Sequence, residues 1–218
     1  MMENKERNFI ESFRDKRALK TVEALKKNQM DGYYVHTAKE AIELVESLIV
    51  PGSTVSSGGS ITLSEIGIDN LLRSGKYQFL DRARAGITPE EAQMVMRQAF
   101  TADVYVCGSN AVTENGELFN IDGNGNRVAA ITYGPKSVII VVGYNKITTD
   151  IFEARERVKR IASPTNATRV KAKTPCITTG ECSDCKAPDR ICCTEVVTTF
   201  QRLPNRIKVI IVDEVLGF

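Results

Sequence analysis

Ser57-Gly58-Gly59-Ser60 joins the apolar stretch Thr54-Val55-Ser56 to a helix-compatible segment that carries Thr62 and Glu65. A strand, a glycine-serine turn and a helix start form an anion site: unpaired backbone N–H groups and the positive helix end point the same way. Gly58 and Gly59 permit close backbone approach, and the hydroxyls of Ser57, Ser60 and Thr62 add donors. The same pattern also serves as a plain capped turn. It is neither a Walker A loop nor G-x-G-x-x-G, so the chain carries no recognised nucleotide motif.

A second polar stretch runs from Gly108 to Arg127 and holds Asn110, Glu114, Asn120, Asp122, Asn126 and Arg127. Asn115-Gly116 and Asp122-Gly123 read as type I′ turns of a β-hairpin. Glu114, Asn126 and Arg127 have no turn role that demands them and are candidate ligand groups. Lys146 follows the apolar run Ser137–Gly143 and is placed to hold a carboxylate or phosphate as a point charge. His36, the one histidine of the chain, precedes a helix cap and suits a structural role. A Ser-His-Asp or Cys-His device would have to use it.

Cys176, Cys182, Cys185, Cys192 and Cys193 cluster near the end of the chain, while Cys107 stands apart. Cys182-x-x-Cys185 can place two thiolates on one ion, and Cys176 with either of the adjacent Cys192 and Cys193 completes a four-sulfur set. Spacing leaves zinc and an iron–sulfur centre both open. Reduced or disulfide-paired thiols are the alternative to a metal.

The elements that must position these groups alternate. Helical spacing runs from Asn4 to Gln29 through Phe9, Ile10, Phe13, Leu19, Val22 and Leu25. A strand follows at Gly32–Val35, then a capping-box helix from Thr37. Thr88-Pro89-Glu90-Glu91 opens another helix. Strands are expected at Asp103–Gly108, Ser137–Gly143 and Ile207–Val212, with a helix from Ile151 to Ile161. This order predicts an α/β fold with a mostly parallel sheet flanked by helices. Ligands then sit beyond the strand C-terminal ends, so the turns at Ser57, Gly108 and Gly143 should share one rim. The 218 residues fit one domain, with a helical segment over about 1–30 and a cysteine-rich loop at 175–194.

A net charge of +2 with interspersed acids argues against a nucleic-acid binder. No apolar run reaches membrane-spanning length, and the charged N-terminal residues do not resemble a signal peptide, which predicts a cytoplasmic protein without a membrane partner. Clustered cysteines fit that compartment. Self-association into a homo-oligomer is left open.

The combination of Ser57-Gly58-Gly59-Ser60-x-Thr62-Leu63-x-Glu65, Gly108–Arg127, Gly143-x-Asn145-Lys146, Pro164-x-Asn166-Ala167-x-Arg169, Cys182-x-Asp184-Cys185, Arg190-Ile191-Cys192 and Leu216-Gly217-Phe218 resembles the LUD (lactate-utilisation) domain family in its stand-alone form. The resemblance runs from about residue 10 onward. It implies the fold shared by ribose-5-phosphate isomerase, glucosamine-6-phosphate deaminase and CoA transferases. It also implies a part in bacterial oxidation of L-lactate to pyruvate, beside iron–sulfur partner subunits. Isomerase relatives often place an aspartate where this chain has Asn110, and an amide cannot transfer protons as a carboxylate does. A CoA-transferase mechanism needs a nucleophilic glutamate, for which Glu114 is the candidate. The ferredoxin-type cysteine repeats of the electron-wiring partners are not present in this sequence.

Overall fold

The computed structural model describes residues 2–218. Its larger sheet has six parallel strands in the order β1-β10-β7-β4-β2-β3. These are β1 (Asp31–Val35), β2 (Thr54–Ser57), β3 (Gln78–Leu80), β4 (Val104–Cys107), β7 (Ser137–Gly143) and β10 (Ile207–Val212). A smaller mixed sheet, β8-β5-β6-β9, joins β5 (Ala111–Thr113), β6 (Leu118–Asp122), β8 (Ile147–Thr148) and β9 (Thr194–Thr198). The helices are α1 (Met2–Lys27), α2 (Ala38–Ser47), α3 (Ile61–Glu65), α4 (Ile68–Leu72), α5 (Pro89–Gln98), α6 (Asn126–Thr132), α7 (Ile151–Arg157), α8 (Ser163–Arg169) and α9 (Cys176–Thr179).

The β-branched runs at 137–143 and 207–212 are central because both of their faces are covered. Val138, Ile140 and Val142 of β7, with Ile207, Val209 and Ile211 of β10, pack with Ala18, Val22 and Leu25 of α1. Ile139 and Val141, with Ile210 and Val212, pack on the other face with Ala41 and Val45 of α2 and with Leu63 and Ile68. This is the period of two that a twice-covered strand requires. The expected fold, a mostly parallel sheet between helices, is the one observed.

Several local expectations need correction. Phe9, Ile10, Phe13 and Leu19 are exposed rather than core. The face of α1 that meets the sheet is Ala18, Thr21, Val22 and Leu25. Asn115-Gly116 does turn β5 into β6, and Gly116 has φ +76° where an added Cβ would strike the α1 backbone at Ala24 and Leu25. Asp122-Gly123 is not a hairpin turn. Asp122 ends β6, and its carboxylate accepts the N–H groups of Arg127 and Val128 at the start of α6. The helix expected over 151–161 continues through a π segment at Val158–Ala162 into α8. Among the described residues, no helix is long and apolar enough to cross a membrane.

Candidate functional site

Parallel topology brings the C-terminal ends of β2, β4 and β7 to one rim, and a cleft of about 500 Å³ opens there. Gly59, Ser60, Gly108, Asn110, Asn126, Arg127 and Lys146 line it, so groups from three separated stretches of sequence meet. The wall also carries Arg82, Arg169 and Arg190, with Asp122 and Asp189 as its acids. Each acid is already engaged: Asp122 with Arg127, and Asp189 as acceptor of the Lys173 N–H at 2.6 Å. The cleft is therefore electropositive through side chains. The helix after the glycine-serine loop has five residues, and Ser60 caps it by accepting the Leu63 N–H. A single turn supplies little dipole, so the sequence-based source of positive potential is replaced by lysine and arginine.

Lys146 lies at the base of the cleft and is 5% exposed. Its Nζ donates to Thr62 Oγ1 at 2.9 Å, and among the described residues no carboxylate forms an ion pair with it. Burial, then the charges of Arg157 and Arg127, lower its pKa from 10.5 to about 7, with Glu65 opposing. Thr62 thus holds the lysine and does not line the cleft. Glu65 accepts the Gly217 N–H at 2.6 Å, and Asn145 bonds Leu216 and Gly217, so that Phe218 reaches the cleft wall. Ser57 ends β2 behind the rim. Gly58 sits where a Cβ would lie 3.0 Å from the Cys107 Cβ and the Tyr105 hydroxyl, a close approach that only glycine allows without displacement.

Arg127 is a strut. Its Nε donates to Asp122, its NH1 to Gly108 O and Asn120 Oδ1, and its NH2 to Asn110 Oδ1 and Ile121 O. These five acceptors match the five N–H donors of a guanidinium. It gives the cleft charge and rigidity, while direct ligand bonds fall to other groups. Arg157, which sequence reasoning missed, is buried and donates to Asn110 O and Asn145 O. Arg82 and Arg169 were also missed. Arg169 stands in Pro164-x-Asn166-Ala167-x-Arg169, which gave a signal, whereas Arg82 lies in an irregular stretch with none.

Glu114 is not brought to the cleft. It pairs with Arg17 and Lys20 of α1, both at 2.7 Å. Burial pushes its carboxyl up, but Lys20 and Arg17 outweigh this and hold it below the usual range. The turn after β5 aims this residue at α1, so a nucleophilic role in the cleft lacks geometry. His36 stacks edge-on to Tyr34 at 5.0 Å and is likewise not a cleft residue. Cys107 is buried beneath the rim, and desolvation raises its thiol to about 12, which makes it inert.

Cys176, Cys182, Cys185 and Cys192 line one small cavity beside the cleft. Cys193 is exposed, and its Sγ contacts Arg190 O at 3.2 Å.

Comparison with solved structures finds similarity to a DUF162 family protein from Deinococcus radiodurans, with TM-score 0.50 and 14% identity over 91% of this chain and 98% of that chain. Chaetomium thermophilum eIF2B beta gives TM-score 0.35 and 19% identity, over 52% of this chain and 43% of that one. Plasmodium falciparum ribose 5-phosphate isomerase gives 0.33 and 20%, over 51% and 52%. The last two overlaps are partial and carry no functional argument. No curated protein matches the sequence. The LUD domain model matches residues 18–212. That match runs from within α1 to the last residue of β10, and the chain belongs to the LUD domain family.

Proposed function

We propose that the cleft binds a small anionic ligand of the carboxylate class and that the protein serves lactate utilisation, as a component of L-lactate oxidation to pyruvate. The observation that carries this reading is Lys146: a buried amine facing a cleft, with a hydroxyl partner and, among the described residues, no ion-paired carboxylate. A ligand carboxylate supplies the missing counter-charge and favours the ammonium form. Arg82 and Arg169 add donors on the wall. The family membership supplies the metabolic setting. A second reading, a phosphorylated or CoA-type ligand, is favoured by the cleft volume, since lactate would fill only a fraction of about 500 Å³.

Calorimetric titration of L-lactate, pyruvate, inorganic phosphate and CoA into the wild-type chain and Lys146→Met tests both readings. The first expects a carboxylate to bind the wild type and Lys146→Met to weaken it by roughly tenfold to a hundredfold, the range for a charge-assisted hydrogen bond. Binding of phosphate or CoA alone selects the second. Equal affinity in wild type and variant removes Lys146 from the site and with it the basis of the first reading.

A further inference from the structure

Three elements meet where β1 and β10 end. The two strands pair in parallel as far as Val35 and Val212, and the Asp213 N–H continues the ladder by donating to Val35 O at 2.9 Å. His36 and Asp213 are therefore neighbours, each the first residue past its strand. Helix α1 covers the sheet there with the stripe Ala18, Val22 and Leu25. Asp15 stands one turn before Ala18 on the same stripe, so the helix sets a carboxylate over the two strand ends. None of the three lines the anion cleft.

Their side chains converge. A carboxylate oxygen of Asp15, one of Asp213 and a ring nitrogen of His36 all lie within 4.8 Å of one another. Tyr34 braces the group: its hydroxyl donates to Asp15 Oδ1 at 2.7 Å, and its ring meets that of His36 edge-on at 5.0 Å. The Glu40 carboxylate accepts the His36 backbone N–H at 2.8 Å. Such outer partners orient the ligands of metal sites. A separate observation points to a cation. Asp213 Oδ1 is buried and, among the described residues, has no hydrogen-bond partner. Among those residues neither Asp15 nor Asp213 is ion-paired with lysine or arginine, unlike Asp81, Asp103, Asp122 and Asp184. Arg14, beside Asp15 in sequence, lies over the Tyr144 ring at 5.3 Å. A buried carboxylate oxygen left without a partner is costly, and a metal ion relieves that cost.

We propose that Asp15, His36 and Asp213 bind a divalent transition-metal ion. The imidazole disfavours magnesium and calcium, which take oxygen ligands, and the two carboxylates disfavour soft ions. Zinc and manganese accept both donor types. Ligand atoms on one tetrahedral ion stand roughly 3.4 Å apart, given bonds of about 2.1 Å. The set therefore closes by up to roughly 1.4 Å on binding, through rotation of the exposed His36 side chain. Three protein ligands leave a position for water. The ion would tie α1 to the ends of β1 and β10, and Asp213 leads directly into the segment that carries Leu216–Phe218 to the cleft. The proposal rests on this cluster alone and not on the identity of the cleft ligand.

Manganese(II) is the probe, because the thiolates of the cysteine loop do not select it. The full chain is titrated with manganese, and bound ion is counted by electron paramagnetic resonance. The expected result is one manganese per chain, held at least about tenfold more weakly by Asp15→Asn and by His36→Gln, and held equally by Cys185→Ser. Magnesium at the same concentration as manganese should not displace it. Failure of the wild type to bind manganese overturns the proposal, as does unchanged affinity in both ligand variants. Loss of binding in Cys185→Ser would move the site to the cysteine loop, and release by equal magnesium would remove the transition-metal assignment. If Asp15→Asn does not fold, the exposed His36→Gln variant decides. No cleft ligand enters these measurements, so a failed carboxylate titration leaves them unaffected.

Discussion

Lys146 and Arg127 both face the cleft, yet their hydrogen bonds give them different tasks. Arg127 spends its five donors on protein acceptors, and Lys146 bonds one hydroxyl, which leaves ammonium protons for a ligand. The burial of Lys146 has a consequence for stability. Its folded pKa, about 7, lies below the ordinary 10.5, so the unfolded chain binds the proton more tightly. The cost of burying the charge is therefore full below about pH 7 and fades as pH rises toward 10.5. Lys146→Met should be more stable than the wild type at pH about 6, and the difference should shrink at pH about 9. Denaturant melts at the two pH values check this. A variant less stable than the wild type at both would mean that the ammonium is satisfied in the ligand-free fold.

Arg127 acts at the level of elements, because it stands at the start of α6 and its acceptors lie on the turn after β4 and on β6. Arg127→Lys keeps the charge but cannot reproduce the planar fork. It should destabilise the protein by about 1–3 kcal/mol through unpaired buried acceptors, measurable by urea unfolding. The central strands were legible from sequence because twice-covered β-branched runs have few other uses, and β7 and β10 fall at the expected residues. The Thr88 capping box was legible for a similar reason, and both of its hydrogen bonds form. Of the smaller sheet only the β5–β6 hairpin was legible, from Asn115-Gly116; β8 and β9 were not, because each pairs with a segment distant in sequence. The exposed half of α1 misled because Phe9 and Phe13 have helical spacing without a sheet strand to cover them. Glu114 misled because its sequence neighbours could not reveal Arg17 and Lys20, which arrive from α1.

At the scale of the whole molecule, one rim gathers the chemistry. The ends of β2, β4 and β7, the C-terminal residues Leu216–Phe218 and the cysteine loop converge on one cleft, and their residues come from across the sequence. Ser60, Gly108 and Lys146 were legible as rim residues because a parallel sheet sets all its strand ends on one side. The arginines that make the cleft electropositive were less so, since only the folded chain brings Arg82, Arg169 and Arg190 together. The central claim is that a small carboxylate binds there through the ammonium form of Lys146. Its most direct test is the affinity of the wild type for pyruvate and L-lactate across a pH series from about 6 to about 9, a range in which the charge of these acids does not change while Lys146 titrates. The account predicts binding that is tightest at the acid end and weakens above about pH 7, by up to about tenfold per pH unit as one proton is taken up with each ligand. Affinity that is constant across the series, or no binding of either acid at any pH, would contradict it.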